Sequence, residues 1–201
     1  MTAKKTSAII LAAGLSSRLG MPKLLLEFND GTPFIHHIIK QYRDFGCEDI
    51  WVVINPSCVE IAKNLNLSSR AGVKIAVNQN PEAGRFGSIR IGLEKLQIPS
   101  PVFIHNVDNP FAHRNTLEKL IDGMRDFDFA NPVFNGKGGH PVLTGQSVAR
   151  SILESGRNEW DLSAFLKRFS GKNIDVDDPD ILWNINTPGE LKKFRGAMAV
   201  R

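Results

Sequence analysis

Short apolar runs alternate with segments of helical period along most of this chain, and that alternation sharply narrows the folds open to it. Residues 7–11, 50–54, 73–77 and 102–104 have the length and the Val/Ile content of buried strands. Between them, residues 33–45, 57–65 and 86–96 read as helices. Phe34, Ile35, Ile38, Ile39 and Tyr42 recur at helical spacing, Pro33 suits a first turn, Gly46 ends the pattern and Ser57 suits a cap. Strand–helix alternation implies βαβ units and a parallel sheet covered on both faces. Farther on, residues 115–124, 147–153, 162–169 and 188–198 read as helices, and 127–133, 141–144 and 173–176 as strands. No linker, repeat or low-complexity run divides the chain, so a single domain over residues 1–201 is expected.

The first strand runs into a loop of particular composition. After Leu11 come Ala12, Ala13 and Gly14, then Ser16, Ser17, Arg18, Gly20 and Lys23. Small side chains let backbone N–H groups approach an anion closely, and Arg and Lys supply charge where phosphate oxygens sit. In an open parallel sheet, ligands lie outside the carboxyl ends of the strands, which is where this loop falls. Neither of two familiar phosphate loops fits. A Walker A loop needs closer glycines with the lysine directly after the second, and only one glycine of the dinucleotide fingerprint is present. Either cation alone could be a solvated surface charge; the ordered combination points to a polyphosphate.

Composition sets looser bounds. Hydrophobic residues make up 42% and charged residues 23%, as in ordinary globular chains, and the net charge is +4. That balance favours anionic ligands, but Lys and Arg are dispersed and form no stripe of the kind that reads nucleic acid. Cys47 and Cys58 are spaced for neither a zinc site nor a redox pair and read as reduced thiols. Lys4 and Lys5 precede an apolar run too short for a signal peptide, and no segment is long enough to span a bilayer, so no membrane partner and a cytoplasmic location are expected.

Four further segments carry polar residues at the ends of strands. Residues 78–90 place Asn80, Gly84 and Ser88 just where a helix begins, a position suited to polar or anionic groups, although a helix cap alone would explain Ser88. Asp108, before Pro110, follows a strand and suits Mg²⁺, which takes one or two protein carboxylates. Gly138-Gly139-His140-Pro141 precedes an apolar run, and a lone His before Pro is more often structural than a ligand. Residues 177–191 bring Asn184 and Asn186 ahead of Thr187-Pro188, which starts the last helix.

The first loop strongly resembles the L-[AG]-[AG]-G-x-S-x-R-[ML]-G-x-x-K signature of the nucleotidyltransferases that make NDP-activated compounds. Leu11, Ala12, Ala13, Gly14, Ser16, Arg18, Gly20 and Lys23 match it in order. The rest of the chain is most similar to the MobA-like branch, in particular the molybdenum cofactor cytidylyltransferases. Asn80, Gly84, Ser88, Ile89, Gly92 and Leu93 follow that branch's nucleotide segment, and Gly139 to Leu143 its G-H-P-V-L segment. Two departures stand out: Val107 replaces the glycine of G-D-x-P, and Asn184 and Asn186 stand where aspartates are common.

The resemblance implies a Rossmann-like three-layer α/β/α sandwich with a mostly parallel mixed sheet. Nucleotide binding would fall to residues 1–110 or so and acceptor binding to 111–201. It implies transfer of CMP from CTP to molybdopterin with release of pyrophosphate. Arg18 would grip the β- and γ-phosphates and Lys23 the α-phosphate; Asp108 and Asn184 would hold Mg²⁺ or Mn²⁺, and His140 and Pro141 would face the acceptor. Ala12-Ala13 goes with CTP in these families, where glycines go with GTP. A molybdoenzyme is a further expected partner. A sugar, polyol or aminoalcohol phosphate remains open as acceptor, as does a weakly catalytic protein that delivers a cofactor. The segment 160–169 favours the pterin branch by likeness alone.

Overall fold

The structure is a computed structural model, and it describes residues 6–69, 72–96, 101–155 and 161–200. Lys4, Lys5 and Trp160 lie outside these. Four parallel strands form one side of the sheet in the order β3 (Val73–Val77), β2 (Asp49–Ile54), β1 (Ser7–Ala12), β4 (Val102–Asn106). The sheet continues through β7 (Val142–Thr144), antiparallel to β4, to β5 (Phe129–Phe134). β5 pairs antiparallel with the two-residue β6 (Lys137–Gly138) and parallel with β8 (Gly171–Asp175). The sheet is therefore mixed and mostly parallel, as expected.

β1 shows why helices cover both faces. All six of its residues are buried. Successive side chains point to opposite faces, so Ala8, Ile10 and Ala12 join one core while Ile9, Leu11 and the following Ala13 join another. The first core lies under α1 (Phe34–Phe45), α2 (Val59–Asn64) and α4 (Arg114–Gly123). The second lies under α3 (Arg85–Leu96), α5 (Gln146–Glu154) and α6 (Leu162–Leu166). A third cluster packs α7 (Pro188–Met198) through Phe194 against Phe34, Phe111 and Ile185. Gly92 lets α3 lie close on β1: a Cβ there would come within 2.6 Å of Ile9 Cγ2. Among the described residues no helix is long and apolar enough to cross a membrane.

Some local expectations are corrected. Ser57 does not cap α2; its hydroxyl donates to Asn55 Oδ1 at 2.7 Å inside a short 3-10 turn that precedes the helix. The β5–β6 hairpin turns on Asn135 and Gly136, whose φ angles of 49° and 77° are those of a tight two-residue turn. α6 stops at Leu166, short of Phe169, and β8 begins at Gly171.

Candidate active site

The loop after β1 takes its shape from Ser16. That residue has φ 56°, a left-handed conformation that side chains rarely adopt. Its carbonyl accepts from the amides of Leu19 (3.0 Å) and Gly20 (3.2 Å). Its hydroxyl donates to the Gly14 carbonyl and accepts from the Lys23 amide, both at 3.2 Å. Ser16 thus folds the loop and does not itself line the cleft. Gly14 does line it, and a Cβ there would meet nothing within 4 Å. No internal contact demands glycine at 14; the space it leaves opens on the cleft.

The cleft has a volume of about 330 Å³ and lies at the carboxyl ends of β1 and β4. Leu11, Ala12, Ala13, Arg18 and Lys23 contribute from the first loop. Gly84 and Ser88 contribute from the start of α3, Asp108 from the exit of β4, and Asn184 from the segment before α7. Ten of the twelve nucleotide-, phosphate- and metal-directed candidates therefore meet there. Ser16 stands behind the loop, and Asn80 is exposed and outside the lining. Near it, buried Asn78 does the structural work: its Nδ2 donates to Ser88 Oγ at 2.9 Å, and its Oδ1 accepts from the Asn80 amide at 2.9 Å. Ser88 is the fourth residue of α3, not its cap.

Lys23 joins three parts of the cleft. Its ammonium bonds the Asp108 carboxylate through Oδ2 and reaches Asn186 Oδ1 at 2.6 Å. Asn186 Nδ2 in turn donates to Asn184 Oδ1 at 2.8 Å. The family likeness assigns the metal contact to Asn184, yet it is Asn186, not Asn184, whose side chain meets Lys23. One backbone bond and one side chain fix the same geometry: the Ile185 amide donates to the Asp108 carbonyl at 3.1 Å, and the Asn109 side chain donates through Nδ2 to the carbonyls of Asp180 (3.2 Å) and Ile181 (2.9 Å). α7 starts beside this point with Thr187 accepting from the Glu190 amide, while the Glu190 carboxylate accepts from the Asn186 amide. Val107 fits where the family pattern has glycine. Its φ is not positive, it is 1% exposed and its amide donates to the Leu11 carbonyl at 3.1 Å.

Asp108 is 4% exposed, and its buried Oδ1 has no hydrogen-bond partner among the described residues. A buried carboxylate oxygen costs free energy until something satisfies it. Asn184 is in the same lining, and its side-chain oxygen, which accepts from Asn186 Nδ2, and the Asp108 carboxylate are hard oxygens of the kind Mg²⁺ and Mn²⁺ take. The residues fit a divalent cation.

A second cavity of about 780 Å³ adjoins the cleft. Phe129, Val142, Leu162 and Phe169 give it apolar surface. Asn131 and Asn173, which face each other in register across β5 and β8, give it two carboxamides. His140 lies in the lining, whereas Pro141 is buried outside it. Asn106 Nδ2 donates to His140 Nε2 at 3.0 Å, which puts the imidazole hydrogen on Nδ1. Burial pushes His140 down to about 4, helped by the Arg85 charge and opposed by Asp108, so its ring is neutral near pH 7. Below it, His105 is pushed down to about 3 by burial and by His140. It accepts from the Tyr42 hydroxyl at 2.8 Å and donates to the Asn109 carbonyl at 2.9 Å. Arg85, Pro81 and Asn106 also line the cleft, although the sequence pattern gives them no role there. The helix-start position of Arg85 was the available signal.

This geometry can be set beside known proteins. A family model described as the MobA-like NTP transferase domain matches residues 8–172. The chain belongs to that family. It is 25% identical over 183 residues to the molybdenum cofactor cytidylyltransferase of Escherichia coli (strain K12), covering 91% of this chain and 92% of that protein. It is 28% identical over 205 aligned residues to the molybdenum cofactor guanylyltransferase of Vibrio atlanticus (strain LGP32), covering 94% and 95%. A solved structure of Rv0371C from Mycobacterium tuberculosis H37Rv, in complex with manganese, superposes with a TM-score of 0.74 at 18% identity, over 96% of this chain and 99% of that one. This MobA-like protein is a nucleotidyltransferase, with the fold its sequence led one to expect.

Proposed function

We propose that the protein transfers CMP from CTP to the phosphate of molybdopterin. The observation that carries the proposal is the adjacency of two cavities: a cation-rich cleft at the Ala12-Ala13-Gly14 loop, and a larger one with apolar walls and paired carboxamides. A triphosphate suits the first, and a flat heterocycle with hydrogen-bonding edges suits the second. In the reaction an oxygen of the acceptor phosphate bonds to the α-phosphorus. The bond from that phosphorus to the α–β bridging oxygen breaks, and pyrophosphate leaves with that oxygen. The attacking phosphate is already anionic near neutral pH, so no general base is needed. Positioning and charge neutralisation do the work.

Arg18 would hold the β- and γ-phosphates, and Lys23 the α-phosphate as charge develops on it. Asp108, with Asn184 nearby, would hold Mg²⁺ or Mn²⁺, which when bound neutralises phosphate charge. Residues up to about 110 would serve the nucleotide and later ones the acceptor, with His140 and Pro141 shaping the acceptor side. The cavity linings support that division, except that Arg85 lines the second cavity as well as the first and Asn184 and Asn186 return to the first cleft. Ala12 and Ala13 line the cleft, but their methyl groups pack into the two cores on opposite faces of the sheet, so the preference for CTP rests on the family likeness of the Ala12-Ala13 pair. The likeness to a guanylyltransferase favours GTP instead. The reading also has the protein working in the cytoplasm and passing its product to a molybdoenzyme.

Pyrophosphate release decides these points, measured with each of four nucleoside triphosphates, with Mg²⁺ or Mn²⁺, with and without molybdopterin carrying its molybdenum. Release with CTP that requires molybdopterin is expected. Equal or faster release with GTP overturns the base assignment. Release with a polyol phosphate alone overturns the acceptor, and silence throughout favours a delivery role.

A further inference from the structure

We propose that Arg85 is a substrate-binding residue for the acceptor: its guanidinium holds the attacking phosphate at the passage between the two cavities. The inference rests on the reading that the acceptor is a phosphate monoester seated in the second cavity.

Among the described residues, Arg85 is the one common to the linings of both cavities. It is the first residue of α3 and follows Gly84, whose φ of 96° turns the chain into the helix. Its side chain is exposed, and among the described residues no carboxylate pairs with it; Arg90, one turn on, faces Glu94 at 3.6 Å. Among the described residues the second cavity has no Asp or Glu in its lining, and its other cation there, Lys167, is exposed on α6's C-terminal side. The charge on Arg85 also reaches His140, whose buried Nδ1 has no partner, so Arg85 and His140 share one electrostatic environment at the mouth.

The chemistry needs a cation at this place. A phosphate dianion must approach an α-phosphate that is itself negative. Arg18 and Lys23 lie on the nucleotide side, so the approaching dianion meets repulsion unless a further charge offsets it. A guanidinium can chelate two phosphate oxygens at once and leave the third directed at phosphorus. Lysine would supply the charge without that two-point grip.

The test uses the whole protein loaded with α,β-methylene-CTP and Mg²⁺, so that binding is read without turnover. Molybdopterin, 2-C-methyl-D-erythritol 4-phosphate and inorganic phosphate are each titrated calorimetrically into wild type, Arg85→Ala and Arg85→Lys. We expect Arg85→Ala to weaken phosphomonoester binding roughly 10- to 100-fold, with Arg85→Lys recovering part of it. Affinity for the nucleotide analogue and the melting temperature should be unchanged. The inference falls if the analogue loses as much affinity as the phosphomonoesters, if no phosphomonoester affinity changes, or if wild type binds none of them. If molybdopterin binds no better than the erythritol phosphate while both depend on Arg85, the inference stands and the molybdopterin assignment falls.

Discussion

Lys23→Met should damage both chemistry and folding, and the second effect can be worked out from contacts. The Asp108 side chain is 6% exposed and that of Lys23 18%. Asp108 Oδ1 already lacks a partner, so removing the ammonium strands the whole carboxylate. Deleting one partner of a buried ion pair costs about 3–5 kcal/mol. This pair opens on the cleft and is partly screened, so about half, ~2 kcal/mol, is expected. In a chain of this length that lowers the melting temperature by about 4–8 °C. Lys23→Met/Asp108→Asn removes the stranded charge and should recover most of the loss. Mn²⁺ should raise the melting temperature of Lys23→Met more than that of wild type, because the ion takes over the carboxylate that the ammonium vacated. Turnover should fall by about 10²–10³ in single and double variants alike. Thermal melts with and without Mn²⁺, alongside pyrophosphate release, give every quantity. A single variant that melts with wild type, or a double variant no more stable than the single, would refute the reasoning.

Gly92→Ala puts a methyl group within 2.6 Å of Ile9 Cγ2. Overpacking of about 1–3 kcal/mol should exceed the ~1 kcal/mol gained in helix propensity, and urea unfolding should show Ile9→Ala easing the penalty. His105 and His140 have folded values of about 3 and about 4 against an ordinary 6.5. The unfolded chain therefore binds more protons between those values and 6.5. Stability should be level above about pH 7 and fall as pH drops below 6.5, by up to ~1.4 kcal/mol per unit for each histidine. Urea midpoints from pH 8 to pH 5 check this, and a level profile contradicts it. Asn186→Asp adds charge beside Asp108 and should tighten Mn²⁺ binding in a direct titration; unchanged affinity would separate Asn186 from the metal.

The alternation of strands and helices was legible because β1 and β4 are buried on both faces and β2 nearly so, which leaves apolar runs. The phosphate loop was legible because its work is done by residue types at fixed spacing. What stayed hidden depended on partners distant in sequence. Asn78 looked like any loop asparagine until its bond to Ser88 was visible. Asn186 and Lys23 lie at opposite ends of the chain, so their contact left no local pattern. Asn80 matched by order alone and proved exposed. Ser57 lost its expected cap role to a 3-10 turn begun by Pro56. The Asn135-Gly136 turn was in plain view and marks a hairpin on chemical grounds.

The hydrogen bonds from Asn109 to the 180–181 carbonyls and from Ile185 to Asp108 have a meaning in time as well as in space. During synthesis the loop with Lys23 and the strand with Asp108 emerge before the stretch carrying Asn184 and Asn186. Until it arrives, Lys23 and Asp108 have only each other. The sheet can therefore close before the cleft is complete, and the stretch from Asp180 to Asn186 acts as the clasp.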